Sequence, residues 1–576
     1  MRPIEAMLEI LRAEGVTTVF GNPGTSELPF TDALAAAPDF SYVLGAHEGS
    51  VVAMADGYAR ATGRTAFVSL HIAAGLANGL VGLLNASRSR TPMVVTAGQQ
   101  DRRHLAADPM LSGDLIGLAS AAVKETFDVQ HARDLPLMLT RAFAAARRTP
   151  AGPVFLSVPM DLLTEDTEVE LPGRTVLAPP GPATELDAAA RLLAAADRPA
   201  IVAGDAVGRD GATAELVALA EALGAVTYHQ PMNDNLDFPT THPLYGGMLV
   251  ATHAAIRETL AAHDTVLIVG THAFMAHHYT PGSPIPEGTT VLQLDADPAE
   301  LGRNFGVRLG LQGALGPSLA GLAAELAGRV PQAAARIAAA ATRAAAERAE
   351  TERAALAAYG PGPLDPLAAA HAVAAGLPAD AVLVEEAITT GLRLRRVLRQ
   401  DRPGSYVHTV GGGLGWGIGA AIGRRMGDPT RPVVAVLGDG CAMFGLQGLW
   451  AAGHYGVPVT FVVMNNGEYR TLKETLDGWD SRSTRVGRYL GLDLAPEADG
   501  ARHRLDFRAA AEFFGIESVR VDDPAHLTEV IAKSASATAP LLVDVPITGH
   551  VPPQADPRPI PYPTPHTPHT PHTPPH

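Results

Sequence analysis

Cysteine is almost absent: Cys441 is the only one in 576 residues, so no disulfide can form within the chain. That usage suits a reducing compartment. Positive charge is also short, with 44 Lys and Arg against 60 Asp and Glu for a net charge of −16. No global positive field is available to hold a nucleic-acid backbone or an acidic membrane surface, and neither is expected as a partner. Charged residues reach only 18% and apolar ones 47%, where an average soluble chain carries roughly 25% charged residues. Large buried surfaces, subunit interfaces among them, fit that deficit. Long hydrophobic runs are missing too. The stretch from Ile72 to Leu84 is interrupted by Asn78 and several glycines, and it falls short of the ~20 residues a spanning helix needs. The N-terminus MRPIEAMLEILRAEG reads as an amphipathic helix containing acids rather than as a secretory signal, so a soluble cytoplasmic protein is expected.

What is there is an alternation. Short apolar runs (TTVFG, TAFVSL, TPMVVTAG, GPVFLSVP) are separated by alanine-rich helical segments, the pattern of strand and helix units around a parallel sheet. A proline- and glycine-rich linker, VELPGRTVLAPPGPATELD, follows, and the order repeats with RPAIVAG, AVTYHQ, DTVLIVG and TTVLQLD. An alanine stretch from Ser318 to Ala358 predicts one long bridging helix. After YGPGPLDP come AVLVEEA, RPVVAVLGDG, VPVTFVVMNN, FGIESVRV and PLLVDVPI. The fold class predicted is α/β, with three consecutive doubly wound parallel-sheet domains at 1–178, 184–345 and 360–550. The tail 551–576 holds 11 of the 47 prolines and a Thr-Pro-His repeat. It cannot build a core and reads as disordered, with no catalytic role for His566, His569, His572 or His576.

The most informative local pattern is Gly438-Asp439-Gly440 after RPVVAVL, followed by Asn465-Asn466 after VPVTFVVM. Asp439 and Asn466 are 27 residues apart, room for a strand end, a crossover helix and a second strand. Both would then emerge at the carboxyl ends of neighbouring parallel strands, where open α/β sheets bind ligands. A carboxylate and an amide oxygen are hard donors suited to magnesium, and the main-chain carbonyl of Glu468 is placed to add a third. Glycines beside Asp439 let the backbone approach a phosphate. Taken alone, each motif is an ordinary turn. At this spacing they match the diphosphate-binding signature of thiamine diphosphate enzymes.

With VFGNPGTSELPF, HEGSVVAMADGYAR, HIAAGLANG, HAFMAHHYTPG and GGGLGWGIGAAIG included, about 550 residues resemble the thiamine diphosphate-dependent decarboxylase and synthase family, and above all its benzoylformate decarboxylase branch. The resemblance implies pyrimidine-binding, central and diphosphate-binding domains in that order. Each active site would be built between two subunits, giving a homodimer at least and a homotetramer by analogy. It implies thiamine diphosphate with Mg2+ as cofactors, Ca2+ being a possible substitute. Glu48 matches the glutamate that hydrogen-bonds the pyrimidine nitrogen N1′, favouring the tautomer that deprotonates the thiazolium carbon. Leu414 matches the apolar wedge between the two rings, and Gly412 the carbonyl that meets the exocyclic amine. Thr389 and Thr390 resemble phosphate-binding hydroxyls. Gly438, Gly440, Cys441 and Asn78 complete the implied cofactor contacts. On its own Glu48 would be a helix-start acid, Leu414 core, and the threonines a cap.

His71, opening HIAAG, and His277 match the family's histidine pair, and Thr25 aligns with its active-site serine. Imidazoles that give and take protons near neutrality suit a non-oxidative 2-keto acid decarboxylase, which must protonate an oxygen and later a carbon. His47, His272 and His278 are read as structural. Acetolactate synthase-like carboligation is the nearest alternative, because the cofactor motifs serve both; synthase and oxidase members typically carry a histidine-free run where HIAAG stands. A non-catalytic cofactor-binding homologue is the third reading. A flavin has no clear signature, and GNPGTSE lacks the G-x-G-x-x-G spacing of a dinucleotide fingerprint. Around the substrate, His408, Thr471 and Thr475 appear with Leu472 where the closest branch is aromatic or apolar. Unpartnered polar side chains would penalise a plain phenyl ring, so a hydroxylated aryl or polar aliphatic 2-keto acid is expected.

Overall fold

The computed structural model describes residues 1–495, 497–498, 501–502 and 504–551, so the Thr-Pro-His tail lies outside the described residues. Three parallel six-stranded sheets follow one another along the chain. In spatial order the first uses Ser41–Leu44, Thr18–Gly21, Ala66–Leu70, Met93–Gln99, Pro153–Pro159 and Glu125–Asp128. The second uses Leu309–Gln312, Thr290–Asp295, Thr265–Val269, Pro199–Ala203, Val226–His229 and Tyr245–Met248. The third uses Tyr406–His408, Val382–Glu386, Val433–Gly438, Val459–Asn465, Leu541–Pro546 and Glu517–Arg520. Helices cover both faces, which is why central strands such as Met93–Gln99 and Val459–Asn465 are buried along their whole length and read as continuous apolar runs. The edge strands Ser41–Leu44, Glu125–Asp128, Tyr245–Met248 and Leu309–Gln312 are short and half exposed. They carry no such run and escaped the sequence reading.

The single helix expected from Ser318 to Ala358 is two. Leu315–Leu326 and Ala333–Ala357 are separated by Gly328, at φ +74°, and by Pro331, which supplies no amide hydrogen to continue the ladder. Among the described residues no helix is long and apolar enough to cross a membrane.

The first and third domains share one buried core in which Val51, Met54 and Ala55 meet Trp416, Ile418 and Ala420. Two helices, Glu48–Thr62 and Trp416–Gly427, make this junction, and glycine sets their separation. A Cβ on Gly423 would lie 1.8 Å from the Met54 carbonyl oxygen, and one on Gly57 2.0 Å from that of Ala420. The Trp416 indole N–H donates to buried Asp56 at 2.6 Å, which locks the register. Gly423→Ala is therefore expected to destabilise the protein by about 3 kcal/mol or more, because backbone rather than a movable side chain stands in the way. Urea unfolding measures it, and an unchanged midpoint would mean that these helices stand further apart.

Candidate active site

At the carboxyl end of the Ala66–Leu70 strand the chain turns through His71 into the Ile72–Arg88 helix. The turn is strained: Ile72, β-branched and fully buried, sits at φ +44°. His71 Nδ1 lies 2.9 Å from a Glu27 oxygen and 3.3 Å from Ser26 Oγ. Glu27 is only 3% exposed and also accepts the Gly24 and Gly98 amides at 2.9 Å each and the Ser26 hydroxyl at 2.8 Å. A carboxylate on Nδ1 selects the tautomer with its proton there and leaves Nε2 as the working nitrogen. Thr25, the residue singled out from the sequence, is exposed one position earlier. Ser26 and Glu27 were missed, although both lie in the same TSEL run.

Glu48 opens its helix behind His47, whose ring accepts the Gly49 amide as an N-cap, in keeping with its structural reading. Buried at 6% exposure, Glu48 accepts the side-chain amides of Asn22 and Asn78, one on each oxygen, at 3.0 Å. Gly75 makes the meeting point: a Cβ there would lie 3.1 Å from a Glu48 oxygen and 3.3 Å from His71 Cβ. Glu48, Asn78 and His71 thus form one cluster. Seven residues beyond Asn78 on the same helix, Asn85 pairs with Gly413, donating to its carbonyl at 2.9 Å and accepting its amide at 3.0 Å. That clamp, invisible in sequence, holds the loop carrying Gly412, at φ +79°, and half-buried Leu414.

In the third sheet the strand order reverses between the parallel neighbours Val382–Glu386 and Val433–Gly438, the switch point at which open sheets form their ligand crevice. Gly438 and Asp439 end one strand beside Asn465 and Asn466 at the end of its parallel neighbour. Asp439 accepts the Gly440 amide at 2.7 Å, the Asn466 amide at 2.9 Å and the Gly467 amide at 2.5 Å. It is 4% exposed, and burial pushes its carboxyl up to about 6. No cation lies within ion-pair distance of Asp439 among the described residues. A buried carboxylate in that state fits a divalent ion. The donor set would be one carboxylate oxygen, the Asn466 amide oxygen and a main-chain carbonyl of Glu468, completed by phosphate and water; among the described residues no three His, Cys, Asp or Glu side chains converge on a metal position.

Thr389 and buried Thr390 lie in the first turn of the Ile388–Val397 helix at the same crevice. Thr389 Oγ1 meets Thr471 Oγ1 at 2.6 Å, which brings a predicted phosphate hydroxyl to a predicted substrate residue. Cys441 is buried beside Gly438, and burial raises its thiol well above the ordinary range, so it stays protonated. Thr471, half-exposed Leu472 and Thr475 share the Arg470–Gly478 helix. From the central domain His277 Nδ1 meets His278 Nε2 at 3.0 Å, and the His278 ring stands edge-on to Trp479, 6.0 Å between centroids. Trp479, 66% exposed at the end of that helix, is a further candidate contact that the sequence reading passed over. His408 has other partners: its Nδ1 donates to the Glu385 carbonyl at 2.8 Å and its amide to that of Asp234 at 3.0 Å. Burial lowers it to about 4, so it is neutral at pH 7. His272 pairs with Glu300 at 2.9 Å, as a structural residue would.

Glutamine at position 27 keeps the shape of the His71 partner but turns a donor toward groups that already donate. Glu27→Gln is expected to lower kcat on the order of 10²-fold through loss of the tautomer, with melting temperature little changed. Steady-state kinetics beside a thermal melt tests this, and a kcat within threefold of wild type would remove Glu27 from the site. A separate polar cavity of about 360 Å³ opens between Arg88 and Arg90 of the first domain and Asp295 and Glu300 of the second. His272, read as structural, is among its lining residues, and none of the candidate cofactor, metal or catalytic residues is.

Residues 1–128 match the thiamine pyrophosphate enzyme N-terminal TPP binding domain, 186–322 the central domain and 389–545 the C-terminal TPP binding domain. Over 548 residues the chain is 36% identical to the benzoylformate decarboxylase of Pseudomonas aeruginosa, covering 94% of this chain and 98% of that protein. It is 28% identical over 553 residues to the acetolactate synthase of Mycobacterium bovis, covering 94% and 87%. The solved thiamine diphosphate-dependent 4-hydroxybenzoylformate decarboxylase of Rhodococcus jostii superposes with a TM-score of 0.84 at 32% identity, over 96% of this chain and 100% of that one.

Proposed function

Because the chain belongs to the thiamine pyrophosphate enzymes, with all three of their domains in order, we propose that it carries out magnesium-dependent, non-oxidative decarboxylation of an aryl 2-keto acid bearing a polar substituent, releasing the aldehyde. One observation carries this reading: buried Glu27 holds His71 by Nδ1 beside Glu48, so a proton-handling nitrogen faces the site. Thiamine diphosphate supplies the electron sink into which the bond to the substrate carboxylate breaks. Glu48 would hydrogen-bond its ring nitrogen N1′, oriented by Asn22 and Asn78. Leu414 and Gly412 would meet the rings, while Thr389, Thr390 and the Gly438–Cys441 turn would take the diphosphate. Asp439, Asn466 and the Glu468 carbonyl would hold Mg2+, or Ca2+ in its place. His71 Nε2 and His277 would give a proton to the keto oxygen and return one to the carbon that loses its carboxylate. The Thr25 hydroxyl would hold the substrate carboxylate.

Within the chain His71 clusters with Glu48, while His277 meets His278, which reaches Trp479 at the end of the Arg470–Gly478 helix, and no hydrogen bond among the described residues joins His71 to His277. A homodimer, paired again into a tetramer as the resemblance implies, would unite them. Val81, Leu84, Met443 and Phe444, each more than 40% exposed, support a covered interface beside the cofactor loops. Thr471 and Thr475 beside Leu472 support a polar ring substituent, as does likeness to a protein named for 4-hydroxybenzoylformate. The test is product analysis by NMR with Mg2+, thiamine diphosphate and a panel of 2-keto acids, with and without an acceptor aldehyde. Free aldehyde is expected, with 4-hydroxybenzoylformate turned over faster than benzoylformate. Hydroxyketone or acetohydroxy acid as main product would move the chain to the carboligase branch. Tight cofactor binding without turnover would make it a non-catalytic homologue.

A further inference from the structure

Lys473 is 0% exposed and among the largest fully buried side chains of the molecule. An ammonium is held in such a place only by partners that offset its desolvation. One of its two partners lies in the candidate metal loop and the other on the strip paired with that loop. Nζ donates to a Glu468 carboxylate oxygen and, at 2.6 Å, to Asp493. Glu468 is itself 3% exposed and pairs through its backbone with Asp493 in an antiparallel bridge. The same strip continues to both sides: the Leu494 amide donates to the Gly467 carbonyl at 2.8 Å, and the Tyr469 amide to that of Leu492 at 2.8 Å. The second Glu468 oxygen accepts the amide of His550, in the segment after the last sheet strand. Two stretches distant in sequence, residues 492–494 and His550, are thereby tied to Gly467, Glu468 and Tyr469.

We propose that Lys473 is a positioning residue for the cation and diphosphate site: its buried ammonium, tied to Glu468 and Asp493, fixes the loop that offers Asn466 Oδ1 and the Glu468 carbonyl to the metal. The inference rests on the thiamine diphosphate reading of that site. Lys473 touches neither metal nor substrate. It lies on the Arg470–Gly478 helix two residues past Thr471, whose hydroxyl meets Thr389, so one side chain sets the loop and the helix that leaves it. Without the ammonium two carboxylates would face each other across the strip, and the loop would open to separate them. Partners of this kind orient ligating groups, and their loss typically weakens metal affinity by about 10–100-fold.

The experiment measures Mg2+ and thiamine diphosphate binding by calorimetry on the full chain as wild type, Lys473→Met and Lys473→Arg, with kcat at saturating cofactor and metal. Lys473→Met is expected to raise the Mg2+ requirement about 10–100-fold with kcat at saturation falling less than threefold. Lys473→Arg keeps a cation and is expected to stay within threefold in Mg2+ affinity. A folded Lys473→Met protein that binds Mg2+ as wild type does would overturn the proposal, as would equal damage from arginine. Should Lys473→Met fail to fold, Asp493→Asn carries the test, since Asp493 is partly exposed at 32% and its loss leaves Glu468 paired; a tenfold weaker Mg2+ affinity supports the role and an unchanged one refutes it. Failure of the underlying reading looks different: wild type itself would then show no Mg2+-dependent cofactor binding.

Discussion

Glu48→Gln is expected to lower kcat about 10³-fold while thiamine diphosphate affinity stays within about tenfold. The carboxyl is buried and each of its oxygens already accepts a neutral amide, from Asn22 and from Asn78. Glutamine is nearly isosteric, so the helix start and the packing around Gly75 survive. What changes is the chemistry. An amide cannot exchange a proton with a ring nitrogen as a carboxyl does, and its NH2 must face one of the two asparagine donors. Apart from Asn78, the proposed contacts to the rest of the cofactor lie in the third domain and are untouched. Single-turnover kinetics and cofactor titration separate the two effects. A kcat within tenfold of wild type would assign the proton transfer to another group.

Asp439→Asn is expected to abolish Mg2+-dependent cofactor binding over an accessible range, a loss of at least about 10²-fold in affinity. Three main-chain amides, from Gly440, Asn466 and Gly467, converge on this carboxylate. It can satisfy them only because both its oxygens accept. Asparagine would turn an NH2 group into that cradle, opposing donor to donor, and would remove the negative charge that a divalent ion neutralises. The strands on either side are fully buried and paired in parallel, so the fold should hold. Isothermal titration with thiamine diphosphate at several Mg2+ concentrations reads the effect, and wild-type affinity in this variant would place the metal elsewhere.

Much of this was legible in the sequence, and the reason is local. VVAVLG and VTFVVMN are continuous apolar runs because a strand buried on both faces must be apolar throughout, and each run ends one residue before its candidate metal ligand. The parallel crossover needs about the interval that separates Asp439 from Asn466. The edge strands of the first two sheets were missed because half of each faces solvent. The break between Leu326 and Ala333 was missed because alanine richness outweighed one glycine and one proline in the reading, although the backbone obeys the latter.

The support around the site was not legible, because it joins residues far apart in the chain. Glu27 meets His71 across 44 residues, Asn85 meets Gly413 across 328 and Glu468 meets His550 across 82. No spacing rule links such pairs. By itself the sequence determined three α/β units and the strand-end positions of Asp439 and Asn466, since hydrophobic periodicity and turn chemistry act over a few residues. Tertiary packing settled that Glu27 pairs with His71, that His408 faces Glu385 and Asp234, that Trp479 meets His278 and that Lys473 is buried behind the candidate metal loop. Those outcomes depend on helix packing and domain docking, where a glycine such as Gly423 lets two backbones touch and so sets which distant side chains meet.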